Sequence, residues 1–385
     1  MPLYHTLILH FRGVLHYYGE SYLGENLLMD KKQRIFYLDF IRVIAILLVI
    51  FIHVSTIDTT KHIGTTDWQI IKMLNYFAHI SVPIFFMISG TLILNSPKTL
   101  SLKYTWQKRI PRIVIPFVIW SIILPTVISL TSNLLSTNDV WGRLKFILNK
   151  PTIPVFWFMY PLIGVYILSP IIKTFVDNAS LKMLFYVTSV WLVTCSLLPS
   201  VNVMMGKDMK HVFQLSPVSN FLLIGGFTGY FILGYLLSQM DFRNISSFAL
   251  LTLFIGIGTF GNFFSESVPK TFDTNNSYYV TSLFIPIMSI AAFILLQKWG
   301  NSIRSRGVIN FFESLAPLVF GIYLLHYLVI FFIEPWFFKN TNLRGIPATF
   351  LRYIVVVFIT IVIIRVVSFI PGINYLLTGH TRSKK

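Results

Sequence analysis

Tyr37-Leu-Asp-Phe-Ile-Arg42-Val-Ile-Ala-Ile-Leu-Leu-Val-Ile-Phe-Ile-His53 is the stretch on which the reading of this chain turns. It is apolar enough to cross a bilayer, yet it carries Asp39, Arg42 and His53. A central Asp or Arg costs about 2.5–3.5 kcal/mol on translocon scales, so such side chains normally face a bundle interior and have a task there. From Arg42 to His53 is eleven positions. At ~100° per residue this is ~20° past three full turns, so both project from one face of a helix. The rise between them is ~16 Å, roughly half the hydrocarbon core. Asp39, one turn before Arg42, is a plausible intrahelical partner for it. The stripe therefore places a carboxylate and a guanidinium near one membrane surface and an imidazole near the other. It either joins helices or lines a polar pathway.

Composition sets the class. Of 385 residues, 55% are hydrophobic and only 12% charged, with a mean hydropathy of +0.71. That excludes a soluble globular domain and points to an all-α, polytopic membrane bundle. Apolar runs near the ~20-residue spanning length fall at about 35–54, 76–94, 113–130, 155–175, 183–198, 221–237, 248–264, 279–296, 315–333 and 349–370. About ten transmembrane helices follow, the Gly-rich run after Phe248 being the weakest. An even number puts both termini on one side. Lys and Arg are denser in the N-terminal segment, the even-numbered connections and the tail, above all in Lys98…Lys103…Lys108-Arg109…Arg112. This predicts cytoplasmic termini, with Arg42 toward the cytoplasm, and a multi-pass protein of the plasma or inner membrane is expected. The net charge of +17 is spread over many loops, which suits topology and membrane lipids and argues against nucleic acid. The single cysteine, Cys195, permits no internal disulfide or cysteine-metal framework. Residues 1–34 read as a peripheral extension, with Met29 an alternative start, 35–370 as the membrane domain and 371–385 as a basic cytoplasmic tail. Self-association stays open.

Other stretches could carry chemistry. In Trp106-Gln-Lys-Arg109-Ile-Pro-Arg112-Ile-Val-Ile-Pro116, Arg109 and Arg112 share a face where a helix starts at Pro111. Paired arginines there suit phosphate groups as well as they suit topology. His79-Ile-Ser-Val-Pro83 announces a kink, and Ser89-Gly90 a close helix approach. Trp157 opens the fourth span among interfacial aromatics. Tyr323 and His326 lie one turn apart in the ninth, so a second intramembrane imidazole could face the first. No Walker loop, dinucleotide fingerprint, zinc motif or nucleophile elbow occurs, and no metal is expected.

Taken together, these residues resemble the type 3 membrane acyltransferase family. The resemblance runs from about Phe36 to Ile370. It is carried by Asp39, by Arg42 and His53 with ten residues between, by Phe85-Phe86-Met-Ile-Ser89-Gly90, by Arg109-x-x-Arg112 before Pro116, and by Ile322-Tyr323-Leu-Leu-His326. Two stretches, Val82–Gly90 and Trp157…Leu168-Ser-Pro-Ile171, look most like stand-alone O-acetyltransferases of surface glycans. The resemblance implies transfer of an acyl group, most simply acetyl from cytosolic acetyl-CoA, to a hydroxyl of a glycan or lipid-linked sugar. It implies His53 as base, Asp39 and Arg42 as positioning groups, and Arg109 and Arg112 on the CoA phosphates. Ser89, Trp157, Tyr323 and His326 are then candidates to line the channel. A transporter or flippase of a glycan or lipid-linked sugar would also need intramembrane charges and broken helices. A scaffold subunit would tolerate replacement of His53.

Overall fold

The computed structural model describes residues 35–60, 63–132, 134–198, 200, 226–267 and 283–380. The chain divides into two units, Met1–Phe36 and Tyr37–Lys385, and the second holds the helix bundle. The expected extension 1–34 lies outside the described residues.

Every regular element among the described residues is helical. In chain order they are α1 Phe36–Thr59, α2 Thr66–Ala78, α3 Ser81–Leu94, α4 Pro111–Thr131, α5 Thr137–Lys145, α6 Met159–Asn178, α7 Leu181–Leu192, α8 Gly226–Ser238, α9 Ser247–Ser267, α10 Phe284–Ser302, α11 Arg306–Leu315, α12 Val319–Asn340, α13 Gly345–Val367 and α14 Ile373–Thr378. Eight helical stretches are long and apolar enough to cross a membrane, and shorter apolar helices occupy Leu181–Leu197 and Gly226–Ser238. Each of the ten expected runs overlaps one of these stretches, eight of them of spanning length; the starts of the runs at 221–237 and 279–296 lie outside the described residues. The Gly-rich run after Phe248 is a full-length helix, α9, because its glycines let bulky neighbours in. A Cβ at Gly258 would lie 2.2 Å from the Phe77 ring.

Pro83 sets the break between α2 and α3. It has no N–H for the His79 carbonyl, and the helix is interrupted at His79–Ile80 before resuming at Ser81. The Ser89-Gly90 approach is realised against α8. A Cβ at Gly90 would fall 1.8 Å from the Phe231 carbonyl oxygen, and one at Gly234 would fall 2.0 Å from that of Met87. The Thr91 hydroxyl donates to the Gly234 carbonyl at 2.8 Å. Small residues thus let two backbones meet, which is how helices associate where lipid removes the hydrophobic drive.

The segment after Ile370 is not simply a tail. Gly372, at φ +80, turns the chain back, and α14 packs on α4 and α12. The Trp120 indole N–H donates to the Leu377 carbonyl at 2.9 Å. Arg42 near the start of α1 and His380 at the end of the described chain line the same cavity, so the bundle begins and ends at one end.

Candidate active site in two cavities

The Arg42 stripe opens into a cavity of about 390 Å³. Arg42, Arg109 and Arg112 all line it, together with His380, and among the described residues no Asp or Glu lines it. Asp39 stands behind the wall, on the preceding turn, with Oδ1 3.5 Å from Arg42 Nη1. Arg109 ends a π-turn, Thr105–Arg109, closed by a bond from Ile110 N to the Thr105 carbonyl at 2.9 Å. The extra residue in that turn re-aims the side chain before the helix starts at Pro111, a use of π-turns that recurs at functional sites. Arg109 is then held by three neighbours. Its Nη2 donates to Thr99 Oγ1 at 3.0 Å, its Nη1 reaches Ser169 Oγ at 3.5 Å, and its guanidinium lies 5.5 Å from the Tyr104 ring centre. Ser89 contributes its hydroxyl to the same wall, 3.3 Å from the Tyr166 hydroxyl. Three guanidinia lining a partly enclosed space, with no carboxylate among the described lining residues, make a site for an anion with several oxygens.

His53 lines a second cavity, of about 550 Å³, with Trp157, His79, Tyr327 and Glu334. Arg42 and His53 share a helix face, as their spacing predicts, but they do not share one open channel. The reason is a partition made by the 3₁₀ turn Pro154–Phe158 and by α12. The Tyr323 hydroxyl donates to the Val155 carbonyl at 2.6 Å, and the Tyr323 ring packs edge-on to Phe158 at 5.5 Å. Tyr323 and Phe158 face the Arg42 cavity, and Val155 and Trp157 face the His53 cavity.

His326 lies within this partition, fully buried, and its ring centre is 5.2 Å from that of His53. The two imidazoles therefore face each other. His326 Nδ1 is 2.5 Å from the Tyr323 carbonyl oxygen. A carbonyl can only accept, so the proton sits on Nδ1 and leaves Nε2 as an acceptor. That Nε2 has no hydrogen-bond partner among the described residues, an uncommon state for a buried polar atom. Across the cavity His79 Nδ1 donates to the Asn75 carbonyl at 2.8 Å.

The sequence reading brought out His53, Arg42, Asp39, Arg109, Arg112, Ser89, Trp157, Tyr323 and His326; all but Asp39 stand at one or other cavity or at the partition, and Asp39 stands behind Arg42. It passed over Arg352. This side chain has no exposed surface, forms an ion pair with Asp58, and places Nη1 3.4 Å from Glu334 Oε1. Its guanidinium also lies over Phe338, 4.9 Å from the ring centre, and Thr349 donates to Asp58 at 2.7 Å. The cluster ties α1, α12 and α13 together beside the His53 cavity. Arg352, seven residues into α13, resembles an ordinary flanking cation in sequence.

A family model described as an acyltransferase domain matches residues 35–369. Comparison with curated proteins and with solved structures gives no match.

Proposed function

The chain belongs to the acyltransferase 3 family, and from that premise we propose that it moves an acetyl group from cytosolic acetyl-CoA to a hydroxyl of a cell-surface or lipid-linked polysaccharide. The observation that carries the reading is the pair of cavities on either side of the partition that holds Tyr323 and His326, one cationic and the other lined by His53. The charged nucleotide of the donor belongs with Arg42, Arg109 and Arg112, on the side that the basic loop assigns to the cytoplasm. The thin pantetheine arm would have to pass the partition to bring its thioester to His53. An acceptor in the outer cavity would rest against Trp157, with its hydroxyl toward the imidazole.

In the transfer step the acceptor oxygen attacks the thioester carbonyl carbon as His53 takes the hydroxyl proton. A carbon–oxygen bond forms and the carbon–sulfur bond breaks. The proton then goes to the departing thiolate, releasing the free CoA thiol. Asp39 orients Arg42, and Arg42 with Arg109 and Arg112 holds the donor without entering the chemistry. The similarity of Val82–Gly90 and Trp157–Ile171 to the stand-alone O-acetyltransferase of enterobacterial common antigen supports acetyl as the group and a surface glycan as the acceptor, with the protein in the plasma or inner membrane. Membership of an acyltransferase family weighs against the transporter reading.

The test is direct. Purified protein in vesicles without an ion gradient, given acetyl-CoA and surface glycan, should consume thioester and raise the glycan mass by one acetyl group per modified residue. Gradient-dependent glycan movement with no thioester consumption would replace this reading with transport.

A further inference from the structure

The family match ends at residue 369, but the wall of the cationic cavity does not. Thr378, Gly379 and His380 line that cavity with the three arginines. Three observations show that this segment is seated rather than merely adjacent. The Trp120 indole holds the Leu377 carbonyl from α4. Thr378 is buried, and its hydroxyl makes 2.7 Å contacts with both the carbonyl and the side-chain oxygen of Asn374. Gly379 adopts φ +66, and a Cβ there would lie 2.0 Å from the Arg112 carbonyl oxygen. The chain can cross Arg112 this closely only as glycine, because the left-handed conformation and the missing side chain are both required. The crossing delivers His380 to the space where Arg42, Arg109 and Arg112 converge.

We infer that residues 373–380 form the closing wall of the donor's anion site and that His380 binds a phosphate group of the acyl-CoA nucleotide. The inference rests on the acyl-CoA reading above. An imidazole on the same wall as three guanidinia adds a further hydrogen-bonding nitrogen to a site suited to an anion with several oxygens. The role is binding, shared by ground and transition states, so it shows in KM and not in kcat.

Two donors separate the possibilities: acetyl-CoA, and S-acetylpantetheine, which carries the same thioester without phosphate or nucleotide. For H380A the expected result is a KM for acetyl-CoA raised about 10-fold, the scale of one lost charge-assisted hydrogen bond, with kcat unchanged and KM for S-acetylpantetheine unchanged. G379V, which unseats the segment, should raise the acetyl-CoA KM further, again without touching S-acetylpantetheine. An unchanged acetyl-CoA KM in H380A overturns the inference, and so does an equal rise for both donors. If wild-type protein consumes neither thioester, the acyl-CoA reading itself fails, an outcome distinct from both.

Discussion

At the scale of single residues, the decisive pair is His53 and Arg42, one face of one helix divided between two cavities. The division assigns them different work. His53→Ala removes the imidazole on the outer cavity wall whose ring centre lies 5.2 Å from that of His326 in the partition. Acetyl transfer should fall by about 10²–10⁴-fold, the usual worth of a positioned general base, while acetyl-CoA still binds. Transfer near the wild-type rate in His53→Ala would remove the assignment. Arg112→Ala should instead raise the KM for acetyl-CoA by about 10-fold or more with little change in kcat, since phosphate contacts are made equally in ground and transition states. Steady-state kinetics with varied donor separate the two patterns. Tyr323→Ala deletes both the hydroxyl latch on Val155 and the ring on Phe158. A breached partition should admit water to the thioester, so acetyl-CoA hydrolysis in the absence of glycan is expected to rise. A wild-type hydrolysis rate in that variant would show that Tyr323 does not seal the path.

At the scale of helices, spacing along α1 and contact between α3 and α8 carry the argument. One alanine inserted between Ala45 and Ile46 turns His53 by ~100° relative to Arg42 and adds only ~1.5 Å. The helix remains long and apolar, so membrane insertion should survive. The imidazole would leave His326 and the outer cavity, and transfer should be lost. Four inserted residues restore the shared face within ~40° but move His53 by ~6 Å. That variant should also fail if, as proposed, the partition sets the depth at which a donor thioester would meet His53. Robust activity in the four-residue insertion would refute a measured reach. The α3–α8 seam makes a separate prediction. Gly234→Ala puts a Cβ 2.0 Å from the Met87 carbonyl oxygen, backbone that has nowhere to yield. Overpacking of this kind costs about 1–3 kcal/mol, to be read as a lowered thermal midpoint of the detergent-solubilised protein.

At the scale of the whole molecule, Arg352 is the point where the last long helix is tied to the first. It is fully buried and shared between Asp58 on α1 and Glu334 on α12. Breaking a buried pair by removing one partner is far worse than replacing the whole set, because the remaining charge is left uncompensated. Arg352→Met should destabilise the bundle by about 3–5 kcal/mol. The combination of Arg352→Met with Asp58→Asn and Glu334→Gln should recover much of the loss. Arg352→Lys should not, since a point charge cannot fork to two carboxylates. Thermal unfolding of the three proteins in one detergent would decide. A single Met variant as stable as wild type would show that the cluster contributes nothing to the bundle.

Much of this was readable from one dimension. Membrane helices advertise themselves because every backbone polar group must be satisfied within the segment, so hydropathy alone located all ten apolar stretches, including the weak one at α9. The common face of Arg42 and His53 followed from helical geometry, and the pairing of Asp39 with Arg42 from a separation of one turn. These are local properties, set by residues near one another in the chain. The partition is not local: it depends on Tyr323 meeting a carbonyl 168 positions away, at Val155. The Arg352 cluster joins α13 to an acid 294 positions earlier, at Asp58. Residues 371–385 read as a basic tail because nothing in their composition announces the contact of Gly379 with Arg112. Such features depend on which side chains the packed helices bring within hydrogen-bond range, and hydropathy and periodicity along the chain carry no record of it. Sequence therefore located the catalytic candidates and the membrane spans, and only the folded bundle decided that the polar stripe is divided between two cavities at the Tyr323–Val155 contact.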